Sequence, residues 1–310
     1  MAAGSQERGM CIHVSALPDI TQAEMDFLDS SFFRSGDAPR PQLPSPSFLL
    51  EEYGDCGADV IKIEKLNMAV KVNYECHLNL EEVQTMWAIR KAFPNDEIPV
   101  PEVFGWRKQD DRVFIYMSLV PGETLRQAWS SLTANDKTSL QTKLRDIIGS
   151  LRRLTQTPEI IGSVNGGPLQ DRFFRIDDEK GPLSTIKEFN DWIFAIATRQ
   201  DPQPGKAIQG LDHPDMYRGM LPDHGNIYFT HGDLTLGNIM VSGSPGSYAI
   251  TGIIDWEQAG WYPEYWEYCK LLLGVELGHE WRIEDWGAKV TKPFEDVFDA
   301  VAEYSLWCCP

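Results

Sequence analysis

Two short runs near residue 60 alternate apolar and polar positions, and only a few residues separate them. The runs are "ADVIKIEK" (58–65) and "LNMAVKVN" (66–73), and the second is rich in β-branched side chains. Alternation over this length is typical of half-buried strands, and a short connection between two strands favours an antiparallel hairpin. The sequence therefore predicts that an antiparallel sheet begins here.

The segments that follow complete a small mixed unit. Residues 79–93, "NLEEVQTMWAIRKAF", place Val83, Met86 and Trp87 at helical spacing. The runs "VPEVFGW" (100–106) and "RVFIYMSLV" (112–120) then return to the alternation of strands. The order strand, strand, helix, strand, strand predicts an α+β unit.

The rest of the chain is mainly helical by its apolar periodicity. Two short strands flank a Gly/Ser turn within 238–256, and helices are predicted over 133–154, 184–198, 264–277 and 294–307. The expected fold class is α+β, with a small β-rich domain before a larger, mainly helical one. A ligand cleft is expected where two such domains meet.

The N-terminal region carries two further signals. Residues 19–33 are predicted to be helical, with Thr21 and Glu24 at the spacing of a capping box. Residues 38–47, "APRPQLPSPS", contain four prolines. Because proline lacks a backbone N–H and restricts φ, this segment is predicted to be an extended connector.

Composition excludes several classes of protein. The 310 residues include 28 basic and 46 acidic side chains, a formal net charge of -18, which disfavours nucleic acid and anionic membranes as partners. The acidic surface fits a cationic substrate or simple solubility.

The N-terminus lacks the apolar core of a secretory signal and no run approaches the ~20 apolar residues of a membrane span, so we expect a cytoplasmic protein of unspecified oligomeric state. None of the six cysteines forms a CxxC pair, so neither a zinc site nor a disulfide is expected.

One segment places a carboxylate and a carboxamide just ahead of an apolar run. In "HGDLTLGNIMV" (231–241), Asp233 precedes Asn238 by five residues, and Asp255 later ends the apolar strand of "GIIDWE". Phosphoryl transfer needs a carboxylate that accepts the proton of the attacking hydroxyl, and oxygen ligands for Mg²⁺. These three residues can supply both, with His231 as a further catalytic candidate. The alternative is a polar turn in which His231 only fixes the loop and Asp255 caps a turn.

A cation for the nucleotide phosphates is expected on a strand of the first domain. Lys71 in "MAVKV" is the candidate, and Glu82 on the following helix is its candidate counter-ion, with Glu81 as the neighbouring alternative. Both have structural explanations as well. Lys71 could be a solvated strand lysine, and Glu82 stands three residues after Asn79, where it could close a capping box.

Three segments together resemble one family. "FTHGDLTLGNIMV", "GIIDWEQAGWYPEYWEY" and "YMSLVPGETL" are similar to the aminoglycoside phosphotransferase/choline kinase-like family, especially its fungal small-molecule kinases. The resemblance covers roughly residues 45–280 and implies a two-lobed protein kinase-like fold with a β-rich N-lobe and a mainly helical C-lobe. The implied boundaries are an extension and connector at 1–47, a nucleotide-binding N-lobe at 48–117, a hinge at 118–123 and a catalytic, acceptor-binding C-lobe at 124–310.

The resemblance also implies residue roles. Asp233 corresponds to the catalytic base of the family, and Asn238 and Asp255 correspond to its Mg²⁺ ligands. Lys71 and Glu82 correspond to the ion pair that anchors the phosphates of ATP.

The hinge and the phosphate loop follow from the same resemblance. Adenine is expected to bond the carbonyl of Ser118 and the amide of Val120, with Met117 lining the back of the pocket. The phosphate-covering loop is expected near "EYGDCGAD", where Gly54 and Gly57 replace the G-x-G-x-x-G pattern of protein kinases.

Two function classes remain open. The first is an ATP- and Mg²⁺-dependent kinase that phosphorylates a hydroxyl of an aminoglycoside-, choline- or metabolite-like acceptor; the second is a catalytically inactive nucleotide-binding module of the same fold. Asp255 is followed by Trp-Glu and not by Phe-Gly, which favours the small-molecule branch over protein kinases, and the role of Glu257 stays open. The later acidic residues could face a cationic acceptor or form solvated helix faces: Glu264, Glu267, Glu276, Glu280, Glu284 and Asp285.

Overall fold

The computed structural model describes residues 10–34, 40–54, 60–75, 78–174, 181–198 and 216–308. The chain divides into two compact units. We call the described parts of 17–133 and 237–257 the sheet unit, and the described parts of 1–16, 134–236 and 258–310 the helical unit. Within these described ranges, no helix combines the length and the apolar character that a membrane crossing requires.

The regular elements of the described ranges are numbered in chain order. The strands are β1 (Met10–Cys11), β2 (Glu24–Asp26), β3 (Val60–Ile63), β4 (Met68–Tyr74), β5 (Val103–Gln109), β6 (Arg112–Ser118), β7 (Glu123–Thr124), β8 (Leu154–Thr155), β9 (Ile227–Thr230), β10 (Ile239–Ser242), β11 (Ala249–Ile253) and β12 (Gly260–Pro263). The α-helices are α1 (Ser31–Arg34), α2 (Pro46–Tyr53), α3 (Glu81–Ala92), α4 (Leu125–Ala128), α5 (Ala134–Leu151), α6 (Ile186–Ala197), α7 (Met216–Met220), α8 (Trp266–Leu273), α9 (Glu280–Ile283), α10 (Trp286–Val290) and α11 (Glu295–Cys308). Single turns of 3₁₀ helix lie at Val14–Ala16, Glu64–Leu66, Trp129–Ser131 and Arg172–Phe174.

The sheet unit is built on a five-stranded antiparallel sheet with strand order β2-β5-β6-β4-β3. The predicted hairpin is confirmed as β3 and β4, with Val60 opposite Lys71. Val70 and Val72 are buried on one face of the sheet together with Phe114. Successive strand residues point to opposite faces, so Lys71 lies on the other face, where its ammonium reaches helix α3.

A second, three-stranded sheet in the same unit has the order β11-β10-β7. The two strands predicted around the Gly/Ser turn are confirmed as β10 and β11, and Ile239 pairs with Ile253 at the base of this hairpin. The amide of Ile254 donates to the carbonyl of Asn238 at 3.0 Å. This register brings the residues that follow β11 beside the residue that precedes β10.

The helical unit encloses a core rich in aromatic side chains. Helix α11 packs against α6, α7 and α8, and the rings of Phe189, Tyr262 and Trp266 are buried together. The stripe predicted for α5 is also buried, including Leu140, Leu144 and Ile147. The predicted α+β class, with one β-rich and one mainly helical unit, is confirmed.

The N-terminal prediction was wrong. Residues 24–26 form strand β2, which pairs with β5 at the sheet edge, and only Ser31–Arg34 is helical. The side chain of Asp19 accepts hydrogen bonds from the amide and hydroxyl of Thr21, at 3.1 and 2.6 Å. This local turn competes with a helix start, and the backbone of residues 24–26 pairs with β5 instead.

The connector prediction needs a smaller correction. Residues 40–45 have no regular structure, as expected for a proline-rich segment, while 38 and 39 lie outside the described residues. Helix α2, however, begins at Pro46, and the side chain of Ser45 caps it by accepting from the amide of Phe48. Proline is favoured at the first helical position because that position needs no N–H donor.

Candidate active site

Three carboxylates surround the ammonium of Lys71 in the sheet unit. Its Nζ lies 2.8 Å from Oε2 of Glu82, 2.7 Å from Oδ1 of Asp255 and 3.3 Å from Oε2 of Glu257. The cluster is largely removed from solvent, since only 17% of the Lys71 side chain and 1% of the Glu82 side chain are exposed. The structure therefore brings Asp255 to Lys71 and Glu82, although it lies 184 residues after Lys71 in the sequence.

The cluster shifts the pKa of both members of its buried pair. Burial alone would lower the pKa of Lys71, but Glu82, Asp255 and Glu257 together raise it above its usual value. Burial raises the pKa of Glu82, and the negative charges of Asp255 and Glu257 add to this effect while Lys71 opposes it. Lys71 is thus firmly cationic, and the surrounding site carries an excess of negative charge.

Glu82 contacts more than the lysine. Its second oxygen accepts from the backbone amide of Trp256 at 3.2 Å, so one carboxylate ties helix α3 both to β4 and to the segment after β11. At the start of α3, the side chain of Asn79 accepts a hydrogen bond from the amide of Glu81. Glu82 is therefore an ion-pair partner and not a helix cap, and the carboxylate that reaches Lys71 is that of Glu82.

Asp255 is held in an uncommon backbone conformation directly after its strand. Its φ is 64°, in the left-handed region that non-glycine residues adopt rarely. The buried indole of Trp256 donates to the carbonyl of Ile253 at 2.9 Å and fixes the same turn. Because the carbonyl of Asn238 accepts from Ile254, Asn238 and Asp255 lie on neighbouring backbone. Conformations of this kind concentrate at functional sites, where surrounding contacts offset their cost.

Asn238, just before β10, and Asp255, just after β11, carry oxygen donors of the kind that a hard divalent cation takes. Asp255 and Asn238 offer carboxylate and carboxamide oxygens, and the local charge is negative. Across the part of the chain that the structure describes, no three His, Cys, Asp or Glu side chains gather as a metal cage. Mg²⁺ usually takes one or two carboxylates from the protein and completes its octahedron with water and phosphate.

The predicted hinge residues lie at the end of strand β6. Met117 is buried, and Ser118 closes the strand with its hydroxyl accepting from the amide of Glu102 at 2.9 Å. Val120 packs so closely on Gly252 that a Cβ built there would lie 2.5 Å from a Val120 methyl carbon. The side chain of Val120 thus anchors this segment to the β10–β11 hairpin. The hydrogen bond between the Val120 amide and adenine stays a prediction. The expected phosphate loop falls largely on 55–59, outside the described residues.

In the helical unit, the loop after β9 carries His231 and Asp233. His231 is fully buried, and its Nδ1 accepts from the amide of Asp233 at 3.2 Å. The carbonyl of Asp233 accepts from the amide of Thr235 at 2.7 Å, while its carboxylate is half-buried. His231 therefore shapes the loop, as its structural interpretation expected, and a direct part for it in chemistry stays a prediction.

Sequence reasoning missed the residue that holds this loop. Glu267, in the first turn of α8, is buried and accepts a hydrogen bond from the amide of His231 at 2.7 Å. It therefore does not lie on a solvated face of the helix, and it is not exposed to contact an acceptor molecule. The available signal was its place between Trp266 and Tyr268 in the run "WEYCKLLL", where the only other charged residue is Lys270. Most of the other acidic candidates have contacts of their own. These are Glu264 with Lys292, Glu280 with Lys137, Glu284 with Trp286 and Asp285 with the amide of Ala288, whereas Glu276 is exposed.

Comparison with known families identifies one match over most of the chain. The sequence model of the phosphotransferase enzyme family, APH, matches residues 73–300. No protein of curated function matches the sequence significantly.

Solved structures show where the same fold occurs. A thermostable variant of aminoglycoside phosphotransferase APH(4)-Ia superimposes with a TM-score of 0.50 at 15% identity, covering 84% of this chain and 88% of that chain. Wild-type aminoglycoside 2'-phosphotransferase-IIIa gives a TM-score of 0.50 at 14% identity, with coverages of 84% and 86%. At such identities the likeness concerns the fold, and it confirms the predicted protein kinase-like architecture.

Proposed function

The chain belongs to the phosphotransferase enzyme family, and from this premise we propose that it is an ATP- and Mg²⁺-dependent kinase of a small molecule. The transferred group is the γ-phosphoryl group of ATP, and its acceptor is a hydroxyl. The predicted cytoplasmic location belongs to this proposal as well.

The observation that carries the proposal is the cluster around Lys71. A lysine that only needed solvation would extend into water, but this side chain is mostly buried and touches three carboxylates. Such a group is costly to bury unless it is paired and hydrogen-bonded. A phosphoryl-transfer function would explain why this lysine is buried, because a fixed cation beside an acidic metal site can hold the phosphates of a nucleotide.

The remaining residues divide the work of the reaction. Lys71, oriented by Glu82, binds phosphate oxygens of ATP. Asn238 and Asp255 are the residues that would hold Mg²⁺, which when bound supplies positive charge to the phosphate oxygens. Asp233 orients the acceptor hydroxyl and takes up its proton as the oxygen attacks phosphorus.

The acceptor class is drawn from the structural neighbours. The APH(4)-Ia structure is a ternary complex with AMP-PNP and hygromycin B, and the 2'-phosphotransferase-IIIa structure contains GDP. The net charge of -18 suits a cationic acceptor. We therefore propose a hydroxylated amine, such as an aminoglycoside or a choline-like compound, as the first acceptors to test.

Two measurements test the proposal in sequence. Calorimetric titration with AMP-PNP, with and without Mg²⁺, should show binding that depends on the metal and that Lys71→Met removes. Lys62→Met is the matched control, because this lysine is exposed on the adjacent strand β3. ADP release should then be recorded for a panel of hydroxylated amines.

The outcomes separate the function classes. Metal-dependent binding with turnover of at least one acceptor supports the kinase. Binding without turnover of any acceptor would indicate the nucleotide-binding module instead. A folded protein that binds no nucleotide would refute both.

A further inference from the structure

Helix α3 of the sheet unit carries Glu82 on one side and Gln84 on nearly the opposite side. Successive residues of an α-helix are roughly 100° apart around its axis, so side chains two residues apart point about 160° away from each other. Glu82 reaches Lys71 on strand β4 at 2.8 Å. Gln84 nevertheless is only 5% exposed, so the helix is also covered on the side that faces away from the ion pair.

The cover over Gln84 includes residues 18–29, which we call the N-terminal segment. The carboxamide of Gln84 donates through Nε2 to the carbonyl of Pro18 at 2.8 Å, and this hydrogen bond is buried. A buried polar group is costly unless it is hydrogen-bonded. The bond to Pro18 therefore fixes the outer side of α3 to the N-terminal segment.

A second contact with the same segment lies further along α3. The ammonium of Lys91 lies 3.0 Å from Oδ2 of Asp29. Gln84 and Lys91 are about two turns apart, so both contacts lie on one stripe of the helix, and Ala88 between them is 5% exposed. The side chains of Lys91 and Asp29 are 54% and 68% exposed, and ion pairs this exposed contribute little. The buried bond of Gln84 is therefore the stronger of the two contacts.

The N-terminal segment is itself fixed to the five-stranded sheet. Its residues Glu24–Asp26 are strand β2, which pairs with β5, and the amide of Lys108 on β5 donates to the carbonyl of Ala23 at 2.7 Å. The buried indole of Trp106, also on β5, donates to the carbonyl of Gln22 at 3.1 Å. The segment thus connects the outer stripe of α3 to the same sheet that carries the lysine of the ion pair.

The contacts of Glu82 depend on where α3 lies. One carboxylate oxygen accepts from Lys71 at 2.8 Å and the other accepts from the amide of Trp256 at 3.2 Å. A displacement of the helix by about 1 Å away from these groups would stretch both contacts beyond hydrogen-bond distance. Because Glu82 is 2% exposed, little water could replace a lost partner.

We propose that Gln84 is a positioning residue for the Lys71–Glu82 pair, through which the N-terminal segment holds α3 in place. The hydrogen bond to Pro18 fixes the outer stripe of the helix, so that Glu82 stays within reach of Lys71 on the inner side. The consequence for catalysis rests on the proposed function, in which Lys71 binds phosphate oxygens of ATP. The position of Glu82 itself can be measured without nucleotide.

Amide hydrogen exchange reports the position of Glu82. The amide of Trp256 donates to Glu82, whereas the amide of Ile253 donates to the carbonyl of Pro99 at 2.7 Å. In Gln84→Met, protection of the Trp256 amide should fall roughly fivefold relative to that of Ile253, about the effect of one buried hydrogen bond. A loss of global stability lowers both protections together, so their ratio separates positioning from a merely structural role.

Two further variants complete the experiment. Gln84→Asn keeps the carboxamide but shortens the side chain by one methylene, so the same ratio should fall in this variant even if Gln84→Met does not fold. Gln22→Met is the matched control, because it makes the same change at an exposed side chain of the N-terminal segment, whose carboxamide donates to Asp19 at 3.3 Å. A wild-type ratio in the folded Gln84 variants, or an equal fall in Gln22→Met, would overturn the proposal.

Nucleotide affinity gives the second readout. In calorimetric titration with AMP-PNP and Mg²⁺, Gln84→Met should bind roughly fivefold more weakly than wild type, and Gln22→Met should bind like wild type. Wild-type affinity in a Gln84 variant whose Trp256 protection has fallen would overturn the link from Gln84 to phosphate binding. If the wild-type protein binds no nucleotide, the proposed function fails, while the exchange ratio still decides whether Gln84 positions Glu82.

Discussion

Replacing Lys71 with Met should destabilise the protein more than replacing Glu82 with Gln, although the two side chains form one ion pair. Lys71 is the shared partner of three carboxylates, at 2.8, 2.7 and 3.3 Å. Its removal takes away the ammonium that Glu82, Asp255 and Glu257 all contact. Removal of the Glu82 charge leaves Lys71 with two carboxylates.

The magnitudes follow from burial. Glu82 is 1% exposed on its side chain, and leaving one member of a buried pair without its partner costs about 3–5 kcal/mol. In Glu82→Gln the new carboxamide can still accept from the amide of Trp256, so a loss of about 1–2 kcal/mol is expected. The double variant should lose less than the sum, by about 1–3 kcal/mol, because the residues act on each other directly.

Urea unfolding at pH 7.5, without nucleotide or Mg²⁺, measures these free energies. The controls are Lys62→Met and Glu64→Gln, which change exposed residues of the same hairpin region and should cost little. A Glu82→Gln variant as unstable as Lys71→Met, or a double variant whose loss equals the sum, would refute the shared-cation account of this cluster.

Three further outcomes are expected. Asp255→Ala should weaken Mg²⁺-dependent ATP binding more than Asn238→Ala, because it removes an anionic ligand; calorimetric affinities equal to wild type at limiting Mg²⁺ would contradict the metal assignment. Gly232→Ala should lower the free energy of unfolding by about 1–3 kcal/mol, because its Cβ would lie 2.8 Å from a backbone oxygen and its φ is 75°. Gly246→Ala is the control: this glycine also has a positive φ but lies in open space, so the loss in the same urea melts should be smaller. The folded protein keeps the Glu267 proton up to about pH 7 and the unfolded chain loses it near 4.5, so the contribution of Glu267 to stability is present below pH 4.5 and is lost as the pH rises to 7. Glu267→Gln should therefore gain stability relative to wild type between pH 5 and pH 8, by up to roughly 3 kcal/mol, and a difference that is constant with pH would contradict the shift.

The elements that could be predicted from the sequence are those with a strong local signal. The β3–β4 hairpin follows from two short β-branched runs separated by only a few residues, and helix α5 follows from a stripe that includes Leu140 and Leu144. Glu82 and Glu81 could be named as candidate partners of Lys71 because a fixed lysine needs a counter-ion and a predicted helix follows its strand. In each case the pattern and the tertiary contacts agree, as they do in sequences that fold reliably.

The parts that could not be predicted depend on long-range contacts. Residues 24–26 carry a helical pattern, yet they form β2 because the edge of β5 offers backbone partners. Glu267 looked like one of several helix carboxylates, and only the packing of α8 shows that it is buried against the loop of His231. The left-handed backbone of Asp255 is likewise imposed by its surroundings and has no sequence signal.

The most direct test of the central claim is transfer of phosphate from ATP to an acceptor by the wild-type protein and by Asp233→Asn. Mass spectrometry of the acceptor panel should detect at least one product heavier by one phosphoryl group, formed only with ATP and Mg²⁺. The Asp233→Asn protein should fold and bind AMP-PNP like wild type but form this product at least about 100-fold more slowly. A variant that transfers phosphate at the wild-type rate would contradict the assignment of Asp233, and a wild-type protein that phosphorylates no acceptor while binding nucleotide would contradict the kinase itself.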